Sequence, residues 1–164
     1  MIEVRRVTPG DWEDLRSVRL EALREAPNAF SSTYASESAR GDQWWRDRTR
    51  ARAWFLAWRD GLPVGIIAGE ADPSSPAHER HVVSMWVDPQ VRGAGAADAL
   101  MAAVGDWARR QGARTLTLWV ADGSPRARAF YQRTGFRDTG VRQPLSSNSD
   151  AAEAELSLDL TRAE

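Results

Sequence analysis

The sequence contains neither cysteine nor lysine. Without cysteine there is no disulfide, no thiolate metal ligand and no thiol nucleophile. Without lysine there is no Gly-Lys-Ser/Thr loop, which excludes nucleotide binding of the Walker type. All 22 basic residues are therefore arginine, and the protein cannot be modified on lysine side chains of its own.

Long apolar runs and a strong net charge are also missing. No apolar run approaches the ~20 residues of a transmembrane helix, and residues 1–6 lack the apolar stretch of a secretory signal. The net charge is −1, so there is no general electrostatic attraction to nucleic acid or to a membrane surface. We therefore expect a cytoplasmic protein with no metal, nucleic-acid or membrane partner.

What is present is typical of a soluble globular protein. Hydrophobic residues make up 42% of the 164 residues and charged residues 27%. This length suffices for one domain with a real core but not comfortably for two. We find neither an internal repeat nor a long linker, so we expect a single domain that spans residues 1–164.

Hydrophobic periodicity predicts an α/β fold. A strand, a long helix and a further strand in the middle of the chain form a βαβ unit, so these two strands should be parallel, whereas the outer strands are joined by hairpins. We expect a twisted mixed sheet of about seven strands with about four helices on its two faces. The predicted strands cover residues 2–7, 51–58, 63–68, 80–87, 115–120, 136–141 and 152–160. The predicted helices follow Asp11, cover residues 36–50 and 93–111, and run from Ser124 to Gly135, and residues 142–150 are predicted to be a polar hairpin loop.

The most informative stretch joins the fourth strand to the long helix. Pro89 ends the strand because proline cannot donate a ladder hydrogen bond. Gly93 and Gly95 then let a ligand approach the main chain without meeting a Cβ. The unpaired N–H groups of the first helical turn favour an anion such as a pyrophosphate. A Rossmann fingerprint is excluded because Asp98 stands where its third glycine would be.

Two motifs in this region resemble those of the GNAT superfamily of N-acyltransferases. The first, Gln/Arg-x-x-Gly-x-Gly/Ala in the family, reads Arg92-x-x-Gly95-x-Ala97 here. The second, Asn-x-x-Ala-x-x-x-Tyr followed by Gly-Phe, comes after the fifth strand. Ser124 stands where asparagine is usual and is expected to cap the helix that begins here. Its other positions match as Ala127, Tyr131, Gly135 and Phe136.

The resemblance implies a binding site for acetyl-CoA. In the family, the fourth and fifth strands separate in a V, here expected after Pro89, and pantetheine pairs with the backbone of the fourth strand. This implies contacts from Met85, Trp86 and Val87. The pyrophosphate would lie on the N–H groups of Arg92, Gly93, Ala94, Gly95, Ala96 and Ala97. Ser124, Ala127 and Tyr131 complete the implied cofactor site.

The resemblance also implies catalytic roles. Tyr131 matches the residue that meets the sulfur and protonates the departing thiolate. His81 occupies the place where some relatives carry a carboxylate base, and an imidazole accepts a proton near neutral pH. Other relatives use a carboxylate on the fifth strand, where this chain has Trp119. Glu79, Asp122 and a water relay are therefore open alternatives to His81 as the base.

The expected activity is acetyl-CoA-dependent transfer of an acetyl group to a primary amine of a small molecule or peptide. The acceptor site is expected at residues 30–34 and 141–150, and neither segment identifies the amine. A non-catalytic acyl-CoA sensor is the alternative, favoured by the missing asparagine and the missing fifth-strand carboxylate. A structural interaction domain without a ligand is a third. The eight tryptophans are many for this length and are compatible with a homodimer interface.

Overall fold

A computed structural model describes residues 1–145 and 148–161. Within these residues the chain forms seven strands and five α-helices. The strands are β1 Glu3–Arg6, β2 Ala53–Arg59, β3 Leu62–Glu70, β4 Glu79–Val87, β5 Thr115–Ala121, β6 Arg137–Leu145 and β7 Asn148–Asp159. The helices are α1 Trp12–Glu25, α2 Tyr34–Ser38, α3 Asp42–Ala51, α4 Ala96–Arg110 and α5 Pro125–Arg133. No helix in this described part is long and apolar enough to cross a bilayer.

The strands form one mixed sheet in the order β1-β2-β3-β4-β5-β7-β6. The β4–β5 pair is parallel because α4 carries the chain from the end of β4 back to the start of β5, and the other pairs are antiparallel. The predicted βαβ unit and the seven-stranded mixed sheet are thereby confirmed.

Each face of the sheet is covered by its own apolar core. On one face, α4 inserts Leu100 and Val104 against Leu116 of β5. On the other, α1 and α3 pack Leu15 and Trp45 against the sheet. Helices therefore cover both faces, as predicted. There are five helices rather than four because the single helix predicted over residues 36–50 is divided into α2, which ends at Ser38, and α3, which begins at Asp42.

A β-bulge distorts β4 in its middle. Ile66 pairs with Trp86 but Ala68 pairs with Val83, so β4 has one residue more than β3 between these positions. Ser84 lies in this extra stretch and has a left-handed backbone, with φ of 61°. A bulge bends its strand and increases the local twist, so β4 changes direction at Ser84.

The separation of β4 and β5 begins earlier than the sequence predicts. Their ladder pairs Glu79 with Thr115 and ends at the pair of His81 with Thr117. We call this last pair the fork. The expectation that the strands part after Pro89 is wrong in position, because the ladder stops before the bulge at Ser84 rather than at the end of the strand.

Two other boundaries differ from the sequence prediction. The long helix begins at Ala96 instead of residue 93, because Gly93 and Gly95 have φ of 87° and 88°, which no right-handed helix accommodates. The segment 142–150, expected to be a loop, mostly continues β6 and β7 as a longer hairpin. Ser146 and Ser147 lie outside the described residues.

Candidate functional site

A cavity of about 610 Å³ lies where β4, the start of α4 and α5 meet. Its size is within the usual range for a ligand pocket of ~300–1,000 Å³. Of the predicted cofactor residues only Ala94 is absent from its lining. The others all line it: Met85, Trp86, Val87, Arg92, Gly93, Gly95, Ala96, Ala97, Ser124, Ala127 and Tyr131.

The start of α4 forms one wall of the cavity. Gly95 is the N-cap residue, and no side chain caps this helix end. A Cβ at Gly93 or Gly95 would meet nothing within 4 Å, so these glycines are required by their backbone conformation and face open space. The N–H groups of the first helical turn have no partner inside the helix, and together with the helix dipole they suit an anion.

Three arginines add positive charge to this wall. Arg92 precedes Gly93, and Arg126 and Arg133 lie two turns apart on one side of α5. Asp98 makes an exposed ion pair of 3.3 Å with Arg133. The sequence analysis missed Arg126 and Arg133, although their spacing of seven residues places them on the same helix face. Net positive charge here favours a phosphate-bearing ligand.

Ser124 is the N-cap residue of α5, but its side chain makes no capping hydrogen bond. The helix starts with the main-chain bond from Arg128 N to the Ser124 carbonyl at 3.1 Å. The prediction that the serine side chain caps α5 is therefore wrong. The hydroxyl lines the cavity and is left for a ligand.

Tyr131 packs on the inner side of α5. Its ring contacts Phe130 and Phe136, with ring centroids 5.6 and 5.8 Å away. The residue is only 6% exposed, and burial raises the pKa of the Tyr131 phenol far above its usual value. Among the described residues the hydroxyl has no hydrogen-bond partner, while the residue lines the cavity. A protonated hydroxyl at this position has a hydrogen-bond donor available on the cavity side.

The cavity reaches the opposite face of the sheet. Ala26 follows α1, Ala29 ends a short turn after it, and both line the cavity together with Trp86. The indole nitrogen of Trp86 donates a 2.8 Å hydrogen bond to Oε2 of the neighbouring Glu25. The sequence analysis did not single out Glu25, because nothing local links it to a residue 61 positions away.

The predicted base candidates lie outside the lining of the cavity. His81 lies at the fork, where its Nδ1 makes a short hydrogen bond with the Thr117 hydroxyl and its Nε2 lies 3.1 Å from the Ser75 hydroxyl. Asp122 is paired with Arg142. Glu79 starts β4, two residues before His81. The catalytic role of His81 stays a prediction, since a proton would have to reach it through water.

The two segments predicted to form the acceptor site differ in exposure. Phe30 is buried against the α1 side of the core, whereas Tyr34 is exposed and accepts a 2.7 Å hydrogen bond from Arg24. Val141, on β6, is also exposed. Among the described residues, neither predicted segment lines the cavity; the lining near α1 comes from Ala26 and Ala29, which lie just before the first segment.

The comparisons with known proteins agree with this geometry. A model of the acetyltransferase (GNAT) family matches residues 12–136. The uncharacterized N-acetyltransferase MJ1207 of Methanocaldococcus jannaschii is 29% identical over 143 residues, which cover 84% of this chain and 62% of that protein. The uncharacterized N-acetyltransferase YycN of Bacillus subtilis is 33% identical over 88 residues, which cover 54% of this chain and 56% of that protein. The matches thus span less than two thirds of the length of these relatives.

Among solved structures, yncA of Salmonella typhimurium, determined with its cofactor acetyl-CoA, superposes with a TM-score of 0.77 at 15% identity. The alignment covers 100% of this chain and 96% of that one. At this identity the likeness shows the fold alone. The family model, by contrast, matches most of the chain and includes both motifs. The chain is thus a member of the acetyltransferase (GNAT) family.

Proposed function

We propose that the protein transfers an acetyl group from acetyl-CoA directly to a primary amine of a small molecule or peptide. The observation that carries this proposal is a single cavity that joins an anion-binding helix start to the unpartnered Tyr131 hydroxyl and continues to the other face of the sheet. A cofactor that bears phosphate groups can bind from the side of α4, and an amine can reach the same cavity from the opposite face of the sheet.

The residues present fit coenzyme A. The start of α4 and the arginines 92, 126 and 133 suit its phosphates. Beyond the fork β4 has no ladder with β5, so the backbone of Met85 and Val87 can pair with the amides of pantetheine. When bound, acetyl-CoA supplies the thioester, whose C–S bond breaks as the C–N bond to the amine forms.

The side chains then divide the proton transfers. The Tyr131 phenol, which has no partner among the described residues, donates its hydrogen bond, and then its proton, to the departing sulfur. It recovers a proton from the acylated nitrogen, which sheds one as the C–S bond breaks. The Glu25 carboxylate, next to Trp86, holds the ammonium form of the acceptor. His81 at the fork takes the ammonium proton through water, which leaves the free amine as the nucleophile.

The first test is a thermal shift with acetyl-CoA, followed by thiol release with a panel of amines that includes small polyamines, amino acids and peptides. Stabilisation by acetyl-CoA together with amine-dependent thiol release is the expected result. Stabilisation without thiol release for any amine would favour the non-catalytic sensor. If acetyl-CoA caused no thermal shift, both the acetyltransferase and the sensor would be contradicted, and a structural interaction domain would be the remaining alternative.

A further inference from the structure

A charged pair lies buried between α1, α2 and the sheet. Arg19 of α1 and Glu37 of α2 are each only 4% exposed. Their contact is bidentate, with Nε 3.0 Å from Oε1 and Nη2 2.9 Å from Oε2. The third guanidinium nitrogen, Nη1, donates a 3.0 Å hydrogen bond to Oγ of Ser84. One buried side chain thus joins two helices to the strand.

The surroundings fix the orientation of this guanidinium. Its carbon lies 4.9 Å from the centre of the Phe30 ring. Burial alone would raise the pKa of Glu37, but the hydrogen bonds and charge of Arg19, with help from Ser32 and Arg48, lower the pKa overall and keep the carboxylate ionised. The pair therefore carries no net charge. With Nε and Nη2 of Arg19 bound to Glu37, the planar guanidinium is oriented so that Nη1 points to Ser84.

Ser84 is the residue at which β4 changes direction. Before the bulge Val82 faces the α4 core, and after it Met85 and Val87 face that same core while Trp86 faces α1. In an unbroken strand the alternation would place Met85 on the opposite face from Val82. The conformation of Ser84 thus decides which backbone and side-chain atoms of residues 85–87 line the cavity.

A serine in the left-handed region is held there by its surroundings, because such a backbone is strained for a residue with a Cβ. The Ser84 hydroxyl makes one side-chain hydrogen bond among the described residues, to Arg19. Because Arg19 is itself fixed by Glu37, that bond anchors the bulge to the α1–α2 side of the molecule.

We propose that Arg19 is a positioning residue, which, oriented by Glu37, holds the Ser84 bulge and thereby places the β4 backbone of residues 85–87 for the thioester carrier. The inference rests on the proposed function for its catalytic consequence. It also adds a physical link between the acceptor side, where α2 and Phe30 lie, and the strand that carries the cofactor.

The most direct test is Ser84→Gly, which removes the hydroxyl while accepting the left-handed backbone. Asp60→Gly is the matched control, because Asp60 also has a positive φ, of 51°, in the distant β2–β3 turn. Both variants relieve backbone strain, but Ser84→Gly also leaves Nη1 of the buried Arg19 without its partner, so we expect it to be the less stable of the two. Only Ser84→Gly should speed amide hydrogen exchange of residues 84–88 in the ligand-free protein, by about tenfold, since a hydrogen bond to a charged group is lost.

The kinetic consequence separates positioning from mere stability. Well below the melting temperature we expect Ser84→Gly to lower kcat by about tenfold or more, because small displacements of reacting groups are costly, and to weaken coenzyme A binding. Arg19→Lys should do the same, with Arg109→Lys as control, since Arg109 pairs with Asp106 at 3.5 Å near the C-terminal end of α4, at the opposite end of that helix from the cavity. A purely structural pair would change the melting temperature and leave kcat and KM of the folded enzyme unchanged.

If Ser84→Gly matches Asp60→Gly in both hydrogen exchange and kinetics, the proposal is wrong. If Arg19→Lys fails to fold, Ser84→Gly still tests whether the hydrogen bond to Arg19 holds the bulge. If the unmodified protein shows no affinity for coenzyme A, the proposed function fails, while hydrogen exchange in the ligand-free protein still tests whether Arg19 holds the bulge.

Discussion

The indole N–H of Trp86 donates a 2.8 Å hydrogen bond to Oε2 of Glu25, which joins the last turn of α1 to the strand that lines the cavity. Trp86 lies on the sheet face opposite to Tyr131. The Glu25 carboxylate is exposed and does not itself line the cavity, but it directly precedes Ala26, which does. One of its oxygens is bonded to a neutral donor, and it has no arginine partner among the described residues.

Glu25→Gln tests whether this carboxylate holds the amine. Glutamine keeps an acceptor for the Trp86 indole but loses the charge that attracts an ammonium group. We expect KM for the best amine of the panel to rise by about tenfold, because hydrogen bonds to charged groups are worth more than neutral ones, while KM for acetyl-CoA changes little. Glu21→Gln, one turn earlier on α1 and exposed, is the control. An unchanged amine KM would remove Glu25 from the acceptor site.

The sequence was sufficient for the sheet and the βαβ unit, because these follow from local periodicity and turn chemistry. The cofactor motifs were found through their resemblance to those of the GNAT family. It was not sufficient for the bulge. Val82, Val83, Ser84 and Met85 suit an unbroken strand, and serine is not a residue that favours a left-handed backbone. The position of the fork was missed for the same reason.

Long-range pairs were also beyond prediction. Arg19 and Ser84 are 65 residues apart, and Glu25 and Trp86 are 61 apart. Arg19 lies four residues after Leu15 and four before Leu23, so the helical period places it on the apolar face of α1, a signal that the sequence analysis did not use. Pairings between distant side chains depend on how elements pack, and a single sequence carries no local signal for them.

Tyr131→Phe tests the proposed acid. The ring contacts with Phe130 and Phe136 are preserved, and the hydroxyl has no partner to lose among the described residues, so the melting temperature should hardly change. We expect kcat to fall by about 10²-fold, the lower range for loss of an acid catalyst. The affinity for coenzyme A, measured by calorimetry, should stay within about twofold if the hydroxyl acts on the transition state. Undiminished turnover would exclude Tyr131 as the acid.

Gly95→Ala tests the anion site at the start of α4. The matched control is Gly112→Ala at the other end of the same helix, where φ is 80° and a Cβ would also meet nothing within 4 Å. Both substitutions should lower the free energy of unfolding by about 1 kcal/mol through backbone strain. Only Gly95→Ala should weaken acetyl-CoA binding, by about tenfold or more, because it disturbs the N–H groups that face the phosphates. Equal affinities in the two variants would argue against this site.

His81→Gln tests the proposed proton acceptor. Glutamine can still make hydrogen bonds to Thr117 and Ser75, so the last pair of the β4–β5 ladder should be preserved. Unlike imidazole, its amide takes up no proton in the neutral range. We expect kcat near pH 7 to fall by about 10²-fold and the decline of kcat toward acid pH to disappear. Thr117→Val keeps the imidazole and should retain that decline. If His81→Gln has the pH profile of the unmodified enzyme, the base is Glu79, Asp122 or water.

Glu37→Gln tests the charge balance of the buried pair through pH. The pKa of Glu37 is lowered below its ordinary value of 4.5, so the contribution of this carboxylate to stability is complete above that pH and is lost as the pH falls through the lowered pKa. At pH 7 the variant leaves Arg19 without its counter-charge and should lose about 3–5 kcal/mol of unfolding free energy in urea titrations. As the pH falls from 4.5 through the lowered pKa, the difference from the unmodified protein should narrow, since Glu37 is protonated first in the unfolded and then in the folded protein. Glu13→Gln, exposed in the first turn of α1, should cost no more than about 1 kcal/mol, the usual limit for a charge at a helix start, and show no such narrowing. A difference that stays constant across this range would mean that the ionised form of Glu37 does not stabilise the fold.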